Sequence, residues 1–171
     1  MKKYLVLFLS LFLLVGCGTA SPHTVTSVDP NIFEVTVPGS WVQADRHSLN
    51  ENANLEALDA NQDAYFMAIM EDKANFNGFD GYKQAAVTVI NQSYNVDLNT
   101  LTPEEVTING NPAYLYTFDV PFEGIVVYMQ VYIIQTENYF GTLYAWTVEA
   151  NKDAQTSILR DIALSFIEKT N

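Results

Sequence analysis

Ile125-Val-Val-Tyr-Met-Gln-Val-Tyr-Ile-Ile-Gln135 is followed, after a short polar break, by Tyr139-Phe-Gly-Thr-Leu-Tyr-Ala-Trp-Thr-Val-Glu149. Neither run carries a charge before Glu149, and both are rich in β-branched and aromatic residues, the side chains that fit a pleated surface. Apolar residues occur at both parities, as in central strands covered on two sides. The break at Glu137-Asn138 leaves room only for a tight turn, so the two strands are antiparallel neighbours.

Hairpins continue upstream. Ala113 to Val120 reads as a strand ended by Pro121, and Glu105 to Ile108 as its partner. Asn109-Gly110-Asn111 joins them, because Asn and Gly accept positive φ in a hairpin turn. Leu101-Thr-Pro103 breaks this group from a helix over Phe79–Tyr94, in which Tyr82, Ala85, Ala86, Val89 and Ile90 recur at three- and four-residue steps. Asp80 is its expected cap. Earlier still, Leu55–Leu58 and Tyr65–Met70 are short strands around the polar turn Asp59–Asp63, and Ile32–Val37 alternates as a strand closed by Pro38-Gly39. Trp41 follows as a lid on the core. Downstream, Lys152–Lys169 has a helical pattern, with Asn151 as N-cap and one apolar face of Ile158, Leu159, Ile162, Ala163, Phe166 and Ile167. Asp153 suits the positive end of this helix and Lys169 its negative end. The order β-β-β-α-β-β-β-β-α, dominated by hairpins, predicts an α+β fold: a mostly antiparallel sheet flanked by helices.

The N-terminus places the protein. Lys2 and Lys3 precede an apolar run to Val15, then Gly16 and Cys17. A basic start, an apolar middle of about 7–15 residues and a small residue at the cleavage site make a secretory signal. The run is shorter than the roughly 20 residues of a transmembrane helix. Leu14-Val15-Gly16-Cys17 resembles the bacterial lipobox, which implies a signal peptide over 1–16, cleavage before Cys17, and a diacylglycerol (with or without an added palmitate-like acyl group) on that residue. Cys17 is the only cysteine, so acylation also accounts for an otherwise unpaired thiol. Residues 17–30 read as the lipidated cysteine and a flexible tether, and 31–171 as the domain. The expected location is the cell membrane, lipid-anchored and extracytoplasmic.

Without the signal, six basic residues face twenty acidic ones, a net charge of −14. This disfavours nucleic acid, whose phosphates need cationic partners, and favours basic proteins, peptides or cations. No Gly-x-Ser-x-Gly elbow is present, and neither His23 nor His47 has a visible partner for nucleophilic catalysis; no catalytic residue is assigned and no enzyme activity is expected. Asp59, Asn61 and Asp63 match the start of a calcium loop, but Ala64 and Met70 stand where its Gly and Glu belong, so no metal or other cofactor is expected. The remaining candidate is aromatic. Tyr114, Tyr116 and Phe118 share a parity, as do Tyr128 and Tyr132, and Phe140, Tyr144 and Trp146. Were these parities to fall on one face, Tyr116, Tyr128, Tyr132, Tyr144 and Trp146 would form a binding surface with polar handles; were a helix to lie over each face, the rings would be core.

Three pieces together resemble the Mog1/PsbP-like fold of small bacterial lipoproteins: Phe33-Glu-Val-Thr-Val-Pro38-Gly-Ser-Trp41, Ile108-Asn-Gly110-Asn-Pro-Ala113-Tyr, and Ile162-Ala-Leu-Ser165-Phe166. The similarity runs in order over residues 31–168. It implies an α/β/α sandwich and a non-catalytic module that binds another envelope protein or peptide. The alternative is a small-ligand or cation-binding domain serving an envelope transporter.

Overall fold

The computed structural model describes residues 21–28 and 30–169; the signal segment 1–16 and Cys17 lie outside the described residues. Ten strands and two helices follow in the order β1 (His23–Thr26), β2 (Phe33–Val37), β3 (Val42–Gln43), β4 (Leu55–Asp59), β5 (Ala64–Asp72), α1 (Gly78–Tyr94), β6 (Glu104–Ile108), β7 (Asn111–Phe122), β8 (Ile125–Gln135), β9 (Tyr139–Val148), α2 (Lys152–Leu164) and β10 (Ile167–Glu168). Seven strands form one antiparallel sheet in the order β3-β4-β5-β9-β8-β7-β6, and β1-β2-β10 form a second, small one. The fold is the expected α+β arrangement.

The long hairpins arise from local chemistry. Asn109 and Gly110 both take positive φ (49° and 85°), and so do Glu123 and Gly124 (46° and 88°); two-residue turns of this kind match the twist of the flanking strands. Pro121 does not end β7: it pairs with Val126, one step from the closing pair Phe122–Ile125. The closing pair is hydrogen-bonded, so the next residue turns its nitrogen outward. β6 pairs only as far as Leu115, so the missing N–H disrupts no ladder.

The C-terminal helix is shorter than its periodicity predicts. It ends at Leu164, where the Ser165 Oγ donates to the Ile162 carbonyl (2.7 Å) and accepts from the Thr36 N–H (2.8 Å). The chain then extends as β10 against β2. Lys169 does not face the helix end; its amide donates to the Ile32 carbonyl (2.7 Å) and its ammonium pairs with Glu34 (2.8 Å). The segment expected as a tether also joins the fold, because His23–Thr26 pairs with β2 and buries Val25.

Two hydrophobic clusters lie on opposite faces of the large sheet. On one, Phe33, Val35, Trp41, Leu55, Phe66, Leu159, Ile162 and Phe166 pack together, all 2% exposed or less. On the other, Tyr82, Ala86, Val87 and Ile90 of α1 pack over Met67, Val131, Ile133 and Phe140. α2 and the small sheet close the first face; α1 lies over the second.

Candidate functional site

Strand register separates the predicted aromatic surface into two. A two-residue turn pairs residues of opposite numerical parity: Tyr116 faces Val131 and Leu115 faces Tyr132 across β7 and β8. The β8–β9 connection does the same, setting Val131 opposite Tyr144 and Tyr132 opposite Leu143. Directly paired residues share a face. Tyr116, Tyr144 and Trp146 therefore lie on the α1 side, and Tyr128 and Tyr132 on the α2 side. Four of the five are buried, with Tyr132 fully so and Trp146 half-exposed; they do not form one open surface.

The two tyrosines on the α2 side belong to a closed network. The Tyr132 hydroxyl donates to Gln130 Oε1 (2.8 Å), and Gln130 Nε2 donates to the Thr156 carbonyl of α2 (2.9 Å) and to the Tyr128 hydroxyl (3.3 Å). Lys152 sits 4.4 Å from the Tyr128 ring centre while pairing with Asp119 at 3.1 Å. Burial pushes the Tyr132 phenol well above its ordinary pKa. Every group here has an internal partner, which is the signature of a polar element holding a helix on a sheet.

The α1 side is less complete. α1 starts after Asn77, whose side chain makes no cap bond; Asp80 lies in the first turn rather than at the cap. It ends at Asn95 in the left-handed conformation (φ 51°). The Leu98–Thr100 turn then folds back, with Leu98 buried and its amide bonded to Asn91 Oδ1 (2.8 Å). One helix is about 10 Å wide and neighbouring strands are about 4.8 Å apart, so α1 covers two or three of the seven strands and leaves clefts beside it.

Three clefts border α1 among the described residues. The largest, about 520 Å³, lies between α1 and β5–β9, with Glu71, Phe76, Tyr82, Val89, Thr142 and Tyr144 among its walls. A second, about 450 Å³, lies between α1 and the Leu98–Pro103 segment and includes Tyr116. The third, about 330 Å³, is mainly apolar: Leu49, Met67, Tyr94, Phe122, Met129 and Trp146 line it, with Asn50 adding an amide. Phe122 is 58% exposed at its rim, and Ile125, its partner across the turn, is 50% exposed. Met67 and Met129 are buried beneath this cleft.

Electrostatically the largest cleft is the distinctive one. Tyr82 and Thr142 share a buried hydroxyl–hydroxyl hydrogen bond of 2.9 Å. Burial raises the phenols of Tyr82 and Tyr144 far above their ordinary value, and Tyr94 moves the same way. The phenols stay protonated. Desolvation also raises the Glu71 carboxyl. Glu71, Met67 and Phe122 are functional candidates that the sequence reading missed. The signal was present in Tyr65-Phe-Met67-Ala-Ile69-Met-Glu71, where alternation puts the one carboxylate on the face of Tyr65, Met67 and Ile69.

Asp59 is buried and its Oδ1 accepts from the Asn61 amide (3.0 Å). Among the described residues, no three His, Cys, Asp or Glu side chains are grouped to hold a metal, and no helix is long and apolar enough to cross a membrane. His47 sits in an exposed loop at positive φ (61°) and accepts from Arg46 Nε (2.9 Å).

No protein-family model and no curated protein sequence matches the chain. Solved structures do. Cyanobacterial PsbP (CyanoP) from Synechocystis sp. PCC 6803 superposes with a TM-score of 0.62 at 15% identity, over 90% of this chain and 96% of its own. A protein of Bacteroides thetaiotaomicron VPI-5482 superposes with a TM-score of 0.53 at 12% identity, over 82% of this chain and 46% of its own. At these identities the likeness is one of fold: this is a PsbP-like α+β sandwich.

Proposed function

We propose that the chain is an extracytoplasmic lipoprotein, anchored through acylated Cys17, whose PsbP-like domain binds an apolar segment of another envelope protein or peptide without catalysing a reaction. The observation that carries the binding half is the Trp146 cleft. It combines a partly buried indole and a solvent-facing Phe122 over two buried methionines, in a domain whose other large rings are mostly packed away. Aromatic and methionine side chains concentrate at the centres of protein interfaces. The signal-like N-terminus and lipobox carry the anchoring half. Two or more acyl chains are needed for durable membrane attachment, which a diacylglycerol thioether supplies.

Two experiments test this reading. Cys17→Ala should abolish incorporation of labelled palmitate and leave an uncleaved precursor; a trimmed, lipid-free protein still held at the membrane would refute lipid anchoring. A photo-crosslinking residue at position 122 should capture one discrete envelope protein in intact cells, and the same residue at position 153, on α2, should capture none. Equal capture at both positions, or capture only at 153, would remove the cleft from the proposal.

The second reading is a small apolar ligand in the same cleft. Its volume of about 330 Å³ lies at the lower end of the range for small-molecule sites, about 300–1,000 Å³. Recovery of a stoichiometric small molecule from the purified protein, lost in Trp146→Ala, would favour it.

A further inference from the structure

We infer that the cleft between α1 and the β5–β9 part of the sheet is a site for an organic cation, an ammonium or guanidinium carried on an apolar body, with Glu71 as its counter-ion. The site is separate from the Trp146 cleft and stands whether or not that cleft receives a partner segment.

The cleft holds about 520 Å³. Its walls carry one carboxylate and no Lys, Arg or His. Phe76 and Tyr82 form an aromatic corner of the wall, edge-on with ring centres 4.9 Å apart, and Tyr82 stacks on the buried Phe140 (5.4 Å), which is not itself a wall residue. Glu71 lies directly opposite Phe140 across β5 and β9. Tyr144 lines the cleft, and Asn52 adds an amide. The nearby cation Lys73 is already engaged, partly against the Phe140 ring of this corner. Its ammonium donates to the Glu137 carbonyl (2.9 Å) and lies 5.3 Å from the Phe140 ring centre.

Charge and geometry together select the ligand. An anion would meet Glu71 and a chain of net charge −12. A neutral apolar molecule would strip water from a carboxylate without giving it a partner, which is unfavourable. A metal ion needs several oxygen ligands, and no such group exists among the described residues. An organic cation needs one carboxylate and ring faces to lie against. The apolar surroundings that raise the Glu71 carboxyl also strengthen its attraction for a cation that enters.

The test is titration of the folded domain with phenethylamine, followed by backbone amide NMR. Phenethyl alcohol serves as the neutral isostere, and the peptide acetyl-Phe-Lys-Phe-amide supplies the same cation on a polypeptide. We expect saturable shifts at residues 71, 82 and 144 with phenethylamine and none with the alcohol. Glu71→Gln should weaken amine binding by about tenfold or more, a factor worth about 1.4 kcal/mol. Glu123→Gln, which removes an equal charge from the distant hairpin tip, should leave binding unchanged. Tighter binding of the peptide would assign the cation to a partner's lysine, and tighter binding of the free amine to a small metabolite; either sustains the site. No saturable shift at these residues with amine or peptide at about 10 mM, well above a millimolar dissociation constant, would overturn the proposal. So would equal loss in both variants, or unchanged binding in Glu71→Gln with its spectrum otherwise native.

Discussion

The two faces of the seven-stranded sheet each carry a hydrophobic cluster and are closed to different degrees. The α2 face is sealed by a helix and a second sheet together. Phe33 and Phe166 stack there with ring centres 5.9 Å apart, both fully buried, and Trp41 is 1% exposed. Small residues let α2 approach: Ala57, Ala64, Ala68 and Ala145 have no exposed surface. A Cβ at Gly141 would come within 2.2 Å of the Met70 sulfur, so a side chain at this strand position would have to displace Met70. The α1 face has one helix and no second sheet. Its tyrosines and methionines border clefts, and it carries Glu71 at the rim of the largest of them. A fold that completes one core on one side can leave polar and aromatic groups incompletely covered on the other, which is where binding sites are built.

This contrast can be broken or sharpened by substitution. The largest effect belongs to the sealed face. Phe166→Ala should destabilise the domain by about 3–5 kcal/mol in urea unfolding, because the cavity between Phe33 and α2 cannot collapse. A loss below about 1 kcal/mol would mean that this face is not the principal core. On the open face, Tyr82→Phe removes one partner of the buried bond to Thr142 and should cost about 1–2 kcal/mol, also read by urea unfolding. The smallest effect is expected to have the opposite sign. Glu71 binds its proton more tightly in the folded state, so its contribution falls as pH rises from the unfolded carboxylate value, about 4.3, through the raised folded value. Glu71→Gln should therefore stabilise the protein slightly near neutral pH and leave its stability unchanged near pH 3. The gain is limited by solvent screening, since the residue is exposed at the rim. A destabilised Glu71→Gln at neutral pH would show that the carboxylate serves the fold rather than a ligand.

Much of the architecture was legible in the residues. The β8 strand runs over Ile125–Gln135 as the apolar run predicts, and the Asn109-Gly110 turn and α1 fall where the spacing puts them. β1, β3 and β10 were not legible. They are two to four residues long and gain order from pairing with strands already in place, not from a pattern of their own. The helix reading of Phe166 and Ile167 failed for a related reason. Both are apolar at helical spacing, yet β2 offers an edge that extends Ile167 and Glu168 into a strand. In the candidate site, Tyr144 and Trp146 were identified from composition and alternation, whereas their separation from Tyr128 and Tyr132 was not.

Local hydrogen bonding and sterics act over a few residues. The sequence by itself therefore determined the strands with strong alternation or long apolar runs, the Asn-Gly turn, the first helix and the lipobox-like N-terminus. Which face each ring joins depends on the parity of the hairpin turns and on pairings such as Glu34 with Ile167, which form only when the whole sheet assembles. The tertiary structure alone decided that Tyr132 is core, that Trp146 borders a cleft, and that Glu71 stands at the rim of a cleft beside Phe76 and Tyr82, because the exposure of a side chain is set by what packs over it.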